Sequence, residues 1–369
     1  MASPFVYEAP VEPSALIDRA EELRTLVDRG LDARNSRLEG PRRFGKTSLL
    51  RAVLAAAEDT GAVPIEVNFL GCVTAADVAE RIERAYSAQL RGPLRRWFDG
   101  LLRTLRPTVS ATPGGVGVSA QVEVGRPGLL DRLALPLRVQ ERTGRPCVIA
   151  FDEFQEVVRI GPALPGVFRA ELEGHGRAAG YIFSGSHPGL MRELFSDRRH
   201  AFFAQAAPVE LGPLAPDAIA DHVVAGFAAG GRDPGAGLGP LLDVAEGHPQ
   251  RAMLLAHHLY ERTPARGAAD VEQWSDAYEA ARREAGGEID VLWQSASDLE
   301  RRVLKVIAHR SVPLASREAA QRFGLPKTGS ARNAVDRLAG DGHLVADPAT
   351  RTGRRIVDPL LARWLRDED

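Results

Sequence analysis

The sequence is short of cysteine, of lysine and of long apolar runs. Two cysteines in 369 residues, Cys72 and Cys147, exclude a disulfide framework and a four-cysteine metal site. Cys147 opens an apolar run and is expected as a small buried core residue. No stretch reaches the roughly 18 apolar residues of a membrane span. Met1–Pro13 has no basic segment followed by an apolar core, so no signal peptide is expected and a cytoplasmic location is. Glycine (36) and proline (25) are plentiful but show no period, which excludes collagen-like and low-complexity chains. No repeat of solenoid or propeller length occurs.

What is present is a soluble globular balance, 44% hydrophobic and 26% charged, long enough for two or three domains. The net charge of −2 excludes a polyanion binder by composition, so any nucleic-acid contact must come from a local patch. Charge is uneven. Residues 295–369 hold 14 Lys and Arg against 10 Asp and Glu, and the rest of the chain holds 33 against 39. Only three of the basic residues are lysines, at 46, 305 and 327.

One of those lysines closes the strongest motif, Gly40-Pro41-Arg42-Arg43-Phe44-Gly45-Lys46-Thr47-Ser48. It matches G-x-x-x-x-G-K-[ST] between a candidate strand near 35–39 and a candidate helix at 47–59, the context a P-loop requires. At this composition about 0.002 accidental matches are expected in the chain. Glycines let the backbone wrap a phosphate, and successive N–H groups at a helix N-terminus face the anion. Lys46 is expected on the β- and γ-phosphates and the Thr47 hydroxyl on Mg²⁺.

A second signal is Cys147-Val-Ile-Ala-Phe-Asp152-Glu153. Apolar residues ending in two acids place carboxylates at the C-terminal end of a buried strand, where open α/β sheets bind ligands. Asp152 is expected to hold Mg²⁺ through water and Glu153 to polarise the attacking water. A third is Ser184-Gly185-Ser186 after the next strand, where either serine can reach the γ-phosphate or the water; an ordinary strand-to-loop turn is the alternative. A fourth is Gly247-His248-Pro249-Gln250-Arg251. This is either a helix N-cap turn or a turn resting on the nucleotide with Arg251 reaching phosphate.

The alternation of strands and helices predicts a parallel sheet with crossovers. Further elements are expected at 15–30, 62–70, 74–89, 91–106 (a basic amphipathic helix), 129–143 and 181–186, with a β-hairpin insertion over 107–127. Residues 216–287 read as wholly helical. The last stretch reads as three helices, the first capped by Ser297-x-x-Glu300, and a hairpin around 349–353, together a winged helix-turn-helix.

These motifs, with Leu16-Ile-Asp18-Arg19-x-x-Glu22-Leu23, Gly247-x-Pro249 and Val357-Asp358-Pro359-Leu-x-x-Arg-Trp364, resemble the archaeal-type P-loop ATPases of the STAND class, relatives of AAA+ proteins. The resemblance spans nearly the whole chain. It implies an α/β P-loop core over 1–213 with strand order 5-1-4-3-2, an all-helical lid over 214–290 and a winged helix over 295–369. It implies ATP and Mg²⁺ as cofactors, Asp18 and Arg19 beside the base, and Gly247, Pro249 and Arg251 as the lid's contribution. Where the family often carries an arginine after the fourth strand, this chain has Gln205, which cannot offset transition-state charge as arginine does. Arg198 and Arg199 lie nearby and are the candidates to substitute for it. Slow turnover, or an arginine from a partner, is the expectation.

Three functions stay open on the sequence: a Mg²⁺-dependent ATPase switch acting on a protein partner or by self-association, an ATP-dependent DNA-binding regulator or initiator, and a non-hydrolysing nucleotide-gated interaction protein. DNA contact would run through Lys327, Arg332, Asn333, Arg337, Arg354 and Arg355. The alternative for these residues is a solvated Arg-rich surface.

Overall fold

The structure is a computed structural model and describes residues 3–105, 126–326 and 329–367. The hairpin expected over 107–127 lies outside the described residues as far as 125, with 126 and 127 in a helix instead, and Lys327 lies outside them too. After a short 3-10 turn (Pro13–Ala15) come α1 (Ala20–Leu31), β1 (Ser36–Glu39), α2 (Lys46–Asp59), β2 (Val63–Asn68), α3 (Ala75–Gln89), α4 (Gly92–Leu105), α5 (Arg126–Leu133), α6 (Leu135–Thr143) and β3 (Cys147–Asp152). Then follow α7 (Glu156–Ile160), α8 (Leu164–Glu173), β4 (Ala179–Ser184), α9 (Pro188–Ser196) and β5 (Ala207–Glu210).

The five strands form one parallel sheet in the order β2-β3-β4-β1-β5, the expected order read from the other edge. Strands β3 and β4 are buried at every position. That is why Cys-Val-Ile-Ala-Phe and Tyr-Ile-Phe are unbroken apolar runs: helices cover both faces. On one face Phe69, Phe151, Phe154, Phe168 and Phe183 pack under α3 to α9, and on the other Leu26, Leu49, Val53 and Ile182 pack under α1 and α2. Pro208 sits in β5, an edge strand, the place in a sheet that tolerates a missing N–H. All strand C-termini point one way, which brings the loops after β1, β3 and β4 to a single rim.

Beyond the sheet the chain is helical: α10 (Pro216–Ala229), α11 (Leu238–Ala245), α12 (Pro249–Arg262) and α13 (Val271–Ser295). It closes with α14 (Asp298–Ala308), α15 (Arg317–Phe323), α16 (Gly329–Gly340), an antiparallel pair β6 (Leu344–Ala346) and β7 (Arg354–Ile356), and α17 (Pro359–Asp367). Ser297 accepts from Glu300 N while Glu300 reaches back to Ser297 N, the expected capping box. Residues of α10 to α17 share one apolar core, from Ile219 and Leu255 to Ile307 and Leu365.

Two expectations are corrected. The single helix over 129–143 is two helices, because Pro136 fixes φ and lacks an N–H, so the chain breaks at Ala134 and restarts with proline in the first turn. Helix α13 runs through Gly286 and Gly287 to Ser295, beyond the helical stretch expected to end at 287. The glycines weaken it by about 1 kcal/mol each, but Ala281, Ala285 and Ile289 bury one face and a capping box at Asp270 and Gln273 anchors its start. The basic helix, α4, buries Phe98 against Tyr86 while Arg95 pairs with Asp99 outside.

Candidate functional site

A cavity of about 820 Å³ opens at the strand C-termini. The loop from Arg42 to Ser48, with Asp152, Glu153 and Ser186, forms its floor; Pro249, Gln250, Arg251 and Glu288 form the facing wall.

The floor is built by the motif glycines. Gly40 and Gly45 have φ of +154° and +86°, and Gly45 leads into α2. This turn strips the loop of side chains where an anion would approach the helix N-terminus. Lys46 is buried, and its Nζ donates to the carbonyl oxygens of Gly40 and Pro41, both at 2.8 Å. Burial pulls its ammonium down to about 8 although Asp152 and Glu153 oppose the shift. The group is therefore short of negative charge, and a phosphate would supply it.

The Thr47 hydroxyl donates to Asp152 Oδ2 at 3.1 Å. Burial, then the Glu153 carboxylate beside it, raises the Asp152 carboxyl. A hydroxyl and a carboxylate this close form a hard oxygen donor pair next to a phosphate loop, and they fit Mg²⁺, which keeps most of its waters. Glu153 turns out of β3 with φ of +53°. Its Oε2 accepts from Ser186 Oγ at 2.7 Å, Ser186 N at 3.3 Å and Gln155 Nε2 at 2.5 Å. Of the two candidate serines, Ser186 lines the cavity; Ser184 is fully buried at the end of β4.

The wall differs from expectation. Arg251 lines the cavity, but its guanidinium is engaged: Nε is 3.1 Å and Nη2 2.5 Å from the Asp358 carboxylate, and Nη2 is 3.3 Å from Glu288. Burial would raise Asp358, yet the Arg251 guanidinium holds it below the usual carboxylate range. Glu288 also binds Arg43 of the phosphate loop through both oxygens. A chain of charges thus runs Arg43–Glu288–Arg251–Asp358, from P-loop through α13 and α12 to the residue before α17. Beside it, Phe44 meets the His248 ring edge-on at 4.9 Å. His248 caps α12, its Nδ1 accepting from Arg251 N at 3.2 Å, and burial holds its pKa at about 4. It is neutral and can accept.

Asp18 and Arg19 sit at the joint between sheet and helices. Arg19 Nη2 donates to Gly212 O at 2.6 Å, and Asp18 accepts from Ala215 N at 3.3 Å. Arg19 lines the cavity and Asp18 does not. Gly247 also belongs to this joint: its carbonyl accepts from Leu214 N, and a Cβ on it would lie 2.6 Å from Pro213. Gln205 is bonded to Phe203 O at 3.5 Å. Arg198 and Arg199 are exposed and line no part of the cavity; Arg199 is paired with Asp197.

Sequence reasoning missed the N-terminal strap. Residues 4–12 pass over the cavity, with Phe5 buried against Phe227 and Tyr260 and Val11 N donating to Ser48 Oγ at 3.1 Å. It also missed Glu288, and it gave no role to Gln155, which closes the Phe-Asp152-Glu153-Phe-Gln155 run that carries part of the family resemblance. The strap's Phe5 and Tyr7 were its only local signal; Glu288 is one acid among many on a helix.

A P-loop, two acids on the next-but-one strand and the order β2-β3-β4-β1-β5 with an appended helical region decide the fold. The chain has the P-loop NTPase fold of the AAA+ type. The same fold is found in the Walker-type ATPase of Pyrococcus abyssi (TM-score 0.70, 18% identity, 98% of this chain and 99% of that one). It is found also in the ORC2 protein of Aeropyrum pernix with ADPNP and ADP (TM-score 0.60, 15% identity, 99% of this chain and 98% of that one). No protein-family model and no curated protein matches the sequence. Among the described residues, no helix of this AAA+ fold is long and apolar enough to cross a membrane.

Proposed function

We propose that the protein is a Mg²⁺-dependent ATPase of the STAND kind, in which nucleotide occupancy repositions the C-terminal helices. The observation that carries this reading is the convergence of Lys46, Thr47, Asp152, Glu153 and Ser186 on one cavity whose far wall holds Arg251, salt-bridged to both Glu288 and Asp358. ATP would enter with its phosphates on the Gly40–Ser48 loop, replacing the carbonyl partners of Lys46. Thr47 and Asp152 would hold Mg²⁺, which supplies charge neutralisation across the β- and γ-phosphates. Glu153 Oε1 would orient the attacking water and take its proton, while Oε2 stays tied to Ser186 and Gln155.

We read three parts, a P-loop core (1–213), a helical lid (214–290) and a winged helix (295–369). The shared core of α10 to α17 supports movement of lid and winged helix as one body about the joint at 212–215. Gly340 of α16 lies close to Gly189 of α9, a contact such movement would open. Adenine as the base rests on the family resemblance, and a cytoplasmic location on the sequence of Met1–Pro13 and the lack of a long apolar run. Phosphate release from ATP by wild type, Lys46→Ala and Glu153→Gln tests the reading. Turnover in wild type alone, with ATP retained by Glu153→Gln, supports it; equal background release in all three contradicts it.

A DNA-dependent version is favoured by one observation. Arg332 and Asn333 of α16 are exposed side by side, with exposed Arg337 one turn on. Arg337 is 3.4 Å from Glu300 and Arg355 3.9 Å from Asp347, so part of this basic charge is already offset. Arg354 lies on the hairpin beside Arg355. Binding of duplex DNA that weakens steeply with salt and is lost in Arg332→Ala/Asn333→Ala supports this version; salt-independent or absent binding turns the search to a protein partner or a second copy.

A further inference from the structure

Gln155 is 1% exposed and lines no part of the cavity, yet its amide is spent on the site. Nε2 donates to Glu153 Oε2 at 2.5 Å and lies 3.5 Å from Ser186 Oγ. Its own Oε1 is buried without a hydrogen-bond partner. An unmade hydrogen bond in the interior is a cost that packing alone does not require, since a leucine or methionine fills the same volume. The amide has one sensible orientation, because turning it over would press Oε1 against the Glu153 carboxylate.

The backbone around it is shaped to admit this amide. A Cβ on Gly185 would lie 2.2 Å from Gln155 Oε1 and 2.8 Å from the Met191 sulfur. The glycine between Ser184 and Ser186 thus leaves room for the glutamine behind the turn. In front of the turn, Ser186 gives two more hydrogen bonds to the same oxygen of Glu153. Three donors from two elements fix one oxygen of a carboxylate whose backbone is already turned by a positive φ. Glu153 itself lines the cavity.

We propose that Gln155 is the positioning residue of Glu153, holding its carboxylate from behind so that the free oxygen faces a water on the γ-phosphate side. The assignment rests on the hydrolytic reading given above. Such a residue acts on the chemical step and leaves ground-state nucleotide binding alone, because it touches neither phosphate nor base. Gly185 serves the same arrangement by leaving space for the amide.

Phosphate release, ATP affinity and thermal unfolding are measured for wild type, Gln155→Leu and Gln155→Met, with Lys46→Ala as the background. Both Gln155 variants keep the volume and remove the donor. The expected result is kcat lower by about tenfold or more with ATP affinity within about twofold of wild type. An unchanged or raised kcat overturns the proposal, as does a matching loss of ATP affinity or failure of both variants to fold, either of which makes Gln155 a structural residue. Wild-type release no faster than Lys46→Ala removes the hydrolytic reading and the proposal with it. Active wild type with equally active variants removes the proposal alone.

Discussion

Asp358 accepts two hydrogen bonds from Arg251, Nε at 3.1 Å and Nη2 at 2.5 Å, across 107 positions of sequence. Arg251 is almost fully buried and lies in the cavity wall facing the P-loop. A guanidinium held this way is not free for a phosphate, so a nucleotide that used Arg251 would compete with Asp358 for it. Asp358→Asn keeps the shape and weakens the hold. ATP affinity is expected to rise several-fold, and chemical denaturation to show a loss of about 1–3 kcal/mol. Unchanged or weaker ATP binding in a folded Asp358→Asn protein argues against competition.

Lys46 sets the pH dependence of binding. Burial holds the free ammonium at about 8, and a phosphate restores its charge, so the bound pKa lies higher. Nucleotide affinity should be flat below pH 8 and fall as pH rises through it, with proton uptake on binding near pH 8. Calorimetry in buffers of different ionisation enthalpy reads that uptake; no buffer dependence near pH 8 contradicts it.

His248 sets a second one. Its folded pKa, about 4, is below the ordinary 6.5 because the ring is buried, and it must stay neutral to cap α12. A group depressed in the folded state stabilises above its unfolded pKa, and that stability is lost as pH falls from 6.5 toward 4. Thermal unfolding should drop over that window, and less so in His248→Asn, which keeps a capping acceptor. Equal acid sensitivity in both would move the cause elsewhere.

The chain's own exposed arginines near β5, Arg198 and Arg199, do not reach its cavity. If these two arginines serve a site, it is the cavity of another molecule, since the arginines lining their own are Arg19, Arg42, Arg43 and Arg251. Turnover per chain should then rise with protein concentration, and Arg198→Ala/Arg199→Ala should remove that rise while leaving ATP affinity intact. Concentration-independent turnover argues for a chain that works alone.

The P-loop, Asp152-Glu153 and the sheet were legible because their chemistry sits in contiguous residues: glycines and Lys46 within eight positions, two acids ending an apolar run. Helix and strand placement followed from periodicity except where tertiary packing overrode it, as at Gly286-Gly287. Pro136 carried a local signal that the helical pattern around it masked. Glu288, Asp358 and Gln155 were not legible as site residues. For Glu288 and Asp358 the role depends on contacts across 245 and 107 positions, with Arg43 and Arg251, and no spacing rule reaches that far. Gln155 acts on Glu153 two positions away, but the turn that brings its amide back onto that carboxylate carries no spacing signature. Arg251 was legible as a site residue, but its partner was not.

Nucleotide-driven movement of α10 to α17 is tested most directly by a distance across the joint. Spin labels at Glu58→Cys on α2 and Asp336→Cys on α16 occupy exposed positions, while the native Cys72 and Cys147 are buried. In a Glu153→Gln background, ATP and ADP should give different distance distributions, and adding Lys46→Ala should abolish the difference. One unchanged distribution with ATP, with ADP and without nucleotide would contradict the switch.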